Sequence, residues 1–107
     1  MNNSKSKVVA VIPVYNEEIF IENTIENIKK INLIDEIIVV DDGSTDKTKE
    51  IVSKLDVTLI EIDKNRGKGY AISKAIDKSN FDYLVLIDGD LGKTSNEAIK
   101  LILPALN

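Results

Sequence analysis

The chain has 107 residues and a formal net charge of −4, and its 43% apolar and 30% charged residues are typical of one small globular domain. This composition excludes a disordered or fibrous protein, and an acidic balance without a basic patch argues against a nucleic-acid partner. The absence of cysteine and histidine from the sequence excludes disulfides, thiolate and imidazole metal ligands and a histidine general base.

The first apolar segment, Val8–Val14, follows a polar start and is too short for a signal peptide or a membrane span. We therefore expect residues 1–6 to be a disordered tail and residues 7–107 to form one domain in the cytoplasm.

Four short runs rich in Val, Ile and Leu predict buried β-strands. They are Val8–Ile12, which Pro13 is expected to end, Ile37–Val40, Val57–Ile62 and Phe81–Ile87. The third run has the weakest apolar character, which predicts a position near the edge of the sheet.

A segment with helical spacing follows each predicted strand. The first helix has an apolar stripe at Ile21, Ile25 and Ile28, with Asn16 as its expected N-cap. The later helices are expected from a Ser44 or Thr45 cap to about Leu55, from Tyr70 to about Ser79, and from about Ser95 to Leu103 behind the capping-box pattern Thr94–Glu97. Four strand–helix units predict right-handed βαβ connections and an α/β fold with a mostly parallel sheet.

Polar residues concentrate directly after the predicted strands, at the edge where open parallel sheets bind ligands. After the fourth strand, Asp88 and Asp90 are two residues apart, so both carboxylates can face one ligand. A hard divalent cation would relieve their repulsion, and Mg²⁺ or Mn²⁺ takes oxygen ligands of this kind together with substrate phosphates. Taken alone, the segment could also be a solvated acidic turn.

The other loops carry groups that complement a nucleotide. Asp42 can accept hydrogen bonds from a base or a ribose, or it can serve only in a turn. Arg66 and Lys68 alternate with glycines, which suits either a diphosphate or a solvated loop. Tyr15 is either a stacking surface for a base or a packing residue. Together these groups fit a nucleotide diphosphate bound with a metal ion.

Four motifs, in order along the chain, resemble those of the family 2 glycosyltransferases. They are Val11–Glu17, Ile38–Asp46, Asn65–Gly69 and Asp88–Asp90, the last of which has the Asp-x-Asp (DXD) form. The segment Asn65–Ala71 is similar to members that transfer sugars onto polyprenyl or dolichyl phosphates. The resemblance covers about residues 7–103.

The resemblance implies the nucleotide-sugar-binding part of the GT-A fold, which is a Rossmann-like three-layer α/β/α architecture. It also implies an inverting glycosyltransferase that uses a nucleotide-diphosphate sugar, with a UDP-sugar favoured. The implied donor-binding residues are Pro13, Tyr15 and Glu17 at the base and ribose, Asp42 at the base, Arg66 and Lys68 at the phosphates, and Asp88 at the ribose or a metal-bound water. The implied metal ligands are Asp90 and Asp88, holding Mg²⁺ or Mn²⁺ as a Lewis acid for the leaving nucleoside diphosphate.

The chain also departs from the family pattern, because no residue matches the family's catalytic base and the sequence stops at Asn107. We therefore expect a truncated domain that carries the donor-binding half and is inactive alone, with the base beyond Asn107. The apolar face of the predicted helix Thr94–Leu103 would favour self-association. The acceptor is left open between a polyprenyl phosphate and a glycan, and the full-length protein is expected at the inner face of the membrane.

Other classes of protein remain as alternatives. A haloacid-dehalogenase-like phosphatase would use Asp88 and Asp90, although its motif belongs on the first strand and expects Thr or Val where this chain has Gly92. A receiver-like module would use Asp41 and Asp42 but needs a fifth parallel strand. A non-catalytic nucleotide-binding module would use the same loops without group transfer.

Overall fold

A computed structural model of the chain describes residues 6–89 and 100–102. The strands are β1 Val8–Val14, β2 Glu36–Asp42, β3 Thr58–Ile62, β4 Tyr83–Leu86 and β5 Lys100–Ile102. The helices are α1 Ile21–Lys29, α2 Thr48–Ser53 and α3 Lys68–Asp77. Within the described ranges, no helix is both long enough and apolar enough to cross a bilayer.

The five strands form one sheet in the order β3-β2-β1-β4-β5. The first four strands are parallel, as predicted, and β3 lies at an edge, as its weaker apolar character indicated. At the centre, Val11 of β1 is level with Ile38 of β2 and Leu86 of β4. All seven residues of β1 are buried, because this strand has neighbours on both sides and helices on both faces.

Alternate residues of the central strands pack into two separate hydrophobic cores, one on each face of the sheet. On one face, Ile12 and Val39 pack with α1 and with Val52 of α2. On the other face, Val11 and Val40 pack with α3 through small alanine side chains that let the helix approach closely: Ala71 and Ala75. The architecture is therefore the three-layer α/β/α arrangement predicted from the sequence. The predicted stripe of α1 is confirmed, since its three isoleucines are fully buried: Ile21, Ile25 and Ile28.

Pro13 does not end β1, contrary to expectation. It is buried within the strand, level with Val40 of β2. The carbonyl of Val11 accepts a hydrogen bond from the Ile87 amide, on the side of β1 that faces β4. Pro13 is two residues further along β1, so its backbone groups point to the same side, at a level beyond the end of β4. No neighbouring strand needs an N–H group there, and a proline is tolerated.

Neither predicted N-cap is correct. The helix α1 begins at Ile21 behind Phe20, and α2 begins at Thr48 behind Lys47, and neither Phe20 nor Lys47 caps its helix with its own side chain. At the start of α2, the amide of Thr48 donates a hydrogen bond to Asp46 Oδ1 instead. The side chain of Asn16 instead bonds to the loop after β2, and this tertiary contact takes the place of the local cap.

The helix predicted to run to Leu103 is wrong at residues 100–102. These residues form β5, which pairs antiparallel with residues 84–86 of β4. The edge of β4 offers unpaired N–H and C=O groups, and pairing with them outweighs a helical tendency inferred from only a few apolar residues. The capping-box segment Thr94–Glu97 and most of the face invoked for self-association lie outside the described residues.

Candidate functional site

The carboxyl ends of β1 and β2 and the segments that follow β1, β3 and β4 surround one cleft at the carboxyl edge of the sheet. We call residues 15–20 loop 1, 43–47 loop 2, 63–67 loop 3 and 87–89 loop 4. The cleft has a volume of about 370 Å³. It is lined by Pro13, Val14, Tyr15, Glu17, Asp42, Asn65, Gly67, Lys68, Asp88 and Gly89. Six residues proposed from the sequence therefore lie together: Pro13, Tyr15, Glu17, Asp42, Lys68 and Asp88.

Two of the proposed residues are not placed in this lining. Asp90 lies outside the described residues. Arg66 is not part of the lining, and its guanidinium lies 5.3 Å from the centre of the Tyr70 ring and 3.9 Å from Asp63 Oδ1. The same ring has Lys74 Nζ at 5.3 Å, so Tyr70 is flanked by two cations on the exposed side of α3.

Loops 1 and 2 are joined by reciprocal hydrogen bonds that we call the loop clasp. Three consecutive amides of loop 1 donate to side chains that follow β2. The bonds run from Asn16 N to Ser44 Oγ at 2.9 Å, from Glu17 N to Thr48 Oγ1 at 2.8 Å, and from Glu18 N to Asp46 Oδ2 at 3.3 Å. These bonds hold the backbone of loop 1 where Tyr15 and Glu17 line the cleft.

Three consecutive amides of loop 2 donate in the opposite direction. Asn16 Oδ1 accepts hydrogen bonds from Thr45 N at 2.8 Å and Asp46 N at 3.2 Å, and Glu18 Oε1 accepts one from Lys47 N at 2.9 Å. Asn16 has φ +54°, a left-handed conformation that asparagine tolerates better than most residues. This conformation sets its side chain towards loop 2, which explains why Asn16 is not a helix cap.

Hydrogen bonds from Thr48 and from loop 1 lower the pKa of Asp46. Partial burial raises the pKa of Asp46, but hydrogen bonds from the Thr48 hydroxyl and from the Thr48 and Glu18 amides outweigh that effect, and the pKa lies below its ordinary value. Sequence reasoning missed Asp46 and Thr48, because their partners in loop 1 are 28 and 31 residues away.

Asp42 connects the end of β2 to loop 3. Its Oδ1 accepts a hydrogen bond from Arg66 N at 2.8 Å, and its Oδ2 accepts one from Gly67 N at 2.9 Å. The carboxylate thus holds the backbone immediately before α3, where Lys68 begins the helix. Its neighbour Asp41 is buried and accepts a hydrogen bond from Ser44 N at 3.3 Å, which shapes the turn into loop 2.

Loops 2 and 3 approach each other closely at Gly43, whose φ is +77°. A Cβ atom added there would lie 2.5 Å from Asn65 N and 2.5 Å from the carbonyl carbon of Lys64. The sequence contains no direct signal for this contact, because Gly43 also fits an ordinary turn.

Loop 4 is fixed by α1 and brings Asp88 to the cleft. The buried hydroxyl of Thr24 donates a hydrogen bond to the carbonyl of Gly89 at 3.2 Å. A Cβ atom at Gly89 would lie 2.9 Å from Val14 Cγ1, so only glycine fits there without a shift in loop 4 or in β1. Across the cleft, Lys68 Nζ lies 3.2 Å from Asp88 Oδ1.

The residues of the cleft fit a divalent cation that is completed by a ligand. In the described part of the chain, no group of three or more acidic side chains is placed to hold an ion by itself. Asp88 nevertheless supplies a hard oxygen, which in this structure faces the Lys68 ammonium. Mg²⁺ is commonly held by one or two carboxylates together with substrate phosphates, so a single described carboxylate is sufficient for this fit.

Comparison with known proteins agrees with this geometry. The family model "Glycosyl transferase family 2" matches residues 9–105. An uncharacterised protein of Methanocaldococcus jannaschii is 36% identical over 104 residues, which cover 88% of this chain and 44% of that protein. The chain thus spans less than half the length of this relative.

Two solved structures share the fold. A mannosyltransferase of Pyrobaculum calidifontis, in complex with GDP-Man and Mn²⁺, has a TM-score of 0.74 and 31% identity, over 81% of this chain and 28% of that one. Glucosyl-3-phosphoglycerate synthase of Mycobacterium tuberculosis, in complex with Mn²⁺, UDP and glucosyl-3-phosphoglycerate, has a TM-score of 0.69 and 29% identity, over 78% and 33%. The sheet and the flanking helices are those of the GT-A fold, and the chain belongs to glycosyl transferase family 2.

Proposed function

We propose that this chain forms the donor-binding half of an inverting glycosyltransferase and binds a nucleotide-diphosphate sugar together with Mg²⁺ or Mn²⁺. The observation that carries the proposal is that residues at or after the ends of all four parallel strands meet at one cleft, where an ammonium group and a carboxylate lie 3.2 Å apart. Family membership and the nucleotide complexes of the two structural relatives support it.

The base and ribose are assigned to the side of the cleft formed by Pro13, Tyr15 and Glu17. The Tyr15 side chain is 44% exposed and offers an aromatic face for stacking. Both oxygens of Asp42 accept bonds from loop 3, but a carboxylate oxygen can accept a second hydrogen bond, so contact with a base N–H remains compatible with this arrangement. We favour a uridine nucleotide.

The diphosphate is assigned to Lys68 and the start of α3. The first amides of a helix point along its axis without partners within the helix, and they favour a negative group. Cβ atoms added at Gly67 and Gly69 would meet no protein atom within 4 Å, so the ligand can approach this backbone closely. Arg66 is at present engaged with Tyr70 and Asp63, and we assign it only a supporting positive charge.

Asp88 is assigned as a ligand of the cation, with Asp90 as the second ligand. The ion would stabilise the negative charge on the leaving nucleoside diphosphate. In the transfer, an acceptor hydroxyl or phosphate oxygen forms a bond to the anomeric carbon as the bond to the diphosphate breaks on the opposite face. No described residue is assigned as the base that takes the acceptor proton. The acceptor is proposed to be a polyprenyl phosphate or a glycan.

Calorimetric titration of UDP and GDP, each with Mn²⁺ and then with EDTA, tests this function. We expect binding in Mn²⁺ that weakens at least tenfold in EDTA, and we expect Asp88→Asn to lose that difference. Asp77→Asn makes the same change of charge at an exposed site at the end of α3 and should bind as the wild type does. Equal affinities in Mn²⁺ and EDTA for the folded wild type would refute the metal-assisted donor site.

A further inference from the structure

We propose that Lys68 is a positioning residue with two alternative partners, and that its exchange between them couples metal binding to nucleotide binding. In the free cleft Lys68 neutralises Asp88. When a diphosphate enters, Lys68 moves to the phosphate oxygens and leaves Asp88 Oδ1 for the cation. This inference rests on the proposed function, which it deepens by predicting how the two ligands bind together.

The geometry permits this exchange at low cost. Lys68 begins α3, and Asp88 follows β4 in loop 4, so the pair spans the cleft between a helix and a separate loop. The side chains are 62% and 56% exposed. An exposed ion pair is worth little, and neither side chain makes another hydrogen bond or ion pair within the described residues. Lys68 can therefore rotate away without leaving a buried charge behind.

The charge of the cleft explains why an exchange is needed. Among the described residues, its charged lining consists of one lysine and three carboxylates, Glu17, Asp42 and Asp88. A diphosphate adds further negative charge, and Lys68 cannot compensate both that charge and Asp88. A cation that binds with the nucleotide supplies the missing positive charge at Asp88. Each ligand therefore favours the other, and the effect is reciprocal because both affinities belong to one thermodynamic cycle.

The ion pair with Lys68 also lowers the affinity of Asp88 for a metal ion in the absence of nucleotide. In the absence of nucleotide, an incoming ion has to displace the Lys68 ammonium from Oδ1 and then tolerate a nearby like charge. Removing the ammonium should therefore improve binding of the metal alone, although Lys68 is not itself a metal ligand. A purely structural role for Lys68 would not produce this gain.

The test measures Mn²⁺ affinity without nucleotide, and UDP affinity with and without Mn²⁺, in the wild type and Lys68→Met. We expect the variant to bind Mn²⁺ alone more tightly, by up to about fivefold, which is the range for an exposed ion pair. It should bind UDP at least tenfold more weakly in Mn²⁺, and the factor by which Mn²⁺ improves UDP binding should fall.

Lys49→Met is the matched control, because it removes the same charge from an exposed ion pair with Glu61, which lies outside the cleft. Its Mn²⁺ and UDP affinities should equal those of the wild type. Lys68→Arg keeps a cation beside Asp88 and should keep the weak binding of Mn²⁺ alone. Unfolding in urea should show the same midpoint for both methionine variants, which ensures that folded proteins are compared.

The two proposals fail in different arms of this experiment. If Lys68→Met binds Mn²⁺ alone no better than the wild type does, Lys68 does not compete for Asp88 and the exchange is refuted. If the wild type binds neither UDP nor GDP under any of these conditions, the donor-binding function is refuted, whatever the metal-only arm shows.

Discussion

Replacing Gly43 by alanine tests the close approach of loops 2 and 3. A left-handed backbone costs a residue with a Cβ about 1–2 kcal/mol, and overlap in a packed site typically costs about 1–3 kcal/mol more. Here the overlap is with backbone atoms 2.5 Å away, which cannot rotate aside. The lower entropy of the unfolded alanine chain returns about 0.4–1 kcal/mol. We therefore expect Gly43→Ala to lower the free energy of unfolding by about 2–4 kcal/mol.

Urea unfolding followed by circular dichroism measures this loss directly. Gly69→Ala is the control, because Gly69 has no left-handed φ and an added Cβ would meet no atom within 4 Å. It should show neither the backbone cost nor the overlap and therefore no loss of stability. If Gly43→Ala costs no more than the roughly 1–2 kcal/mol of a left-handed backbone alone, the loops do not meet as described and the reasoning is wrong.

Three further predictions use the same measurements. Asn16→Ala removes the acceptor for two amides of the loop clasp and should lower the free energy of unfolding by about 1–2 kcal/mol. Asn16→Gly should lower it less, because glycine relieves the strain of the φ of +54°. An unchanged urea midpoint for Asn16→Ala would contradict a stabilising clasp. Because the pKa of Asp46 is lowered in the folded protein, its carboxylate stabilises the fold at pH values above the unfolded pKa of 3.8, and this stability is lost as the pH falls through the lower folded pKa. Melting temperatures of Asp46→Asn between pH 3 and 6 should lack this acid-dependent loss. Identical pH profiles of the variant and the wild type would refute the prediction. Gly69→Ala should stabilise α3 by up to about 1 kcal/mol yet weaken UDP binding, and unweakened binding would show that the diphosphate does not approach there.

Much of the fold could be predicted because its determinants are local and strong. The β-branched runs of β1 and β2 and the stripe Ile21–Ile28 indicate burial without knowledge of any partner. Strand–helix alternation then predicts a parallel sheet, and the structure confirms it. The cleft followed from the same logic, since strand-end residues of a parallel sheet share one edge.

What could not be predicted depends on contacts between distant segments. Asn16 resembles a local cap in the sequence, and only the meeting of loops 1 and 2 gives it other partners. The role of Thr24 is equally invisible, because its partner Gly89 is 65 residues away. The strand β5 was mistaken for a helix because three apolar-rich residues carry too little periodicity to identify the open edge of β4.

The central position of β1 has a consequence for how the protein folds. At its start, Val8 contacts Asp35 across 27 residues of chain, whereas Lys7 contacts Asp82 across 75. Closing the longer loop costs about 0.9 kcal/mol more in chain entropy, so we expect β1, β2 and the helix between them to assemble before β4 is added. Asp88 then reaches its place only in the last step. A nucleotide that requires the finished cleft would therefore leave the folding rate unchanged and slow unfolding, so its effect would appear as kinetic stability.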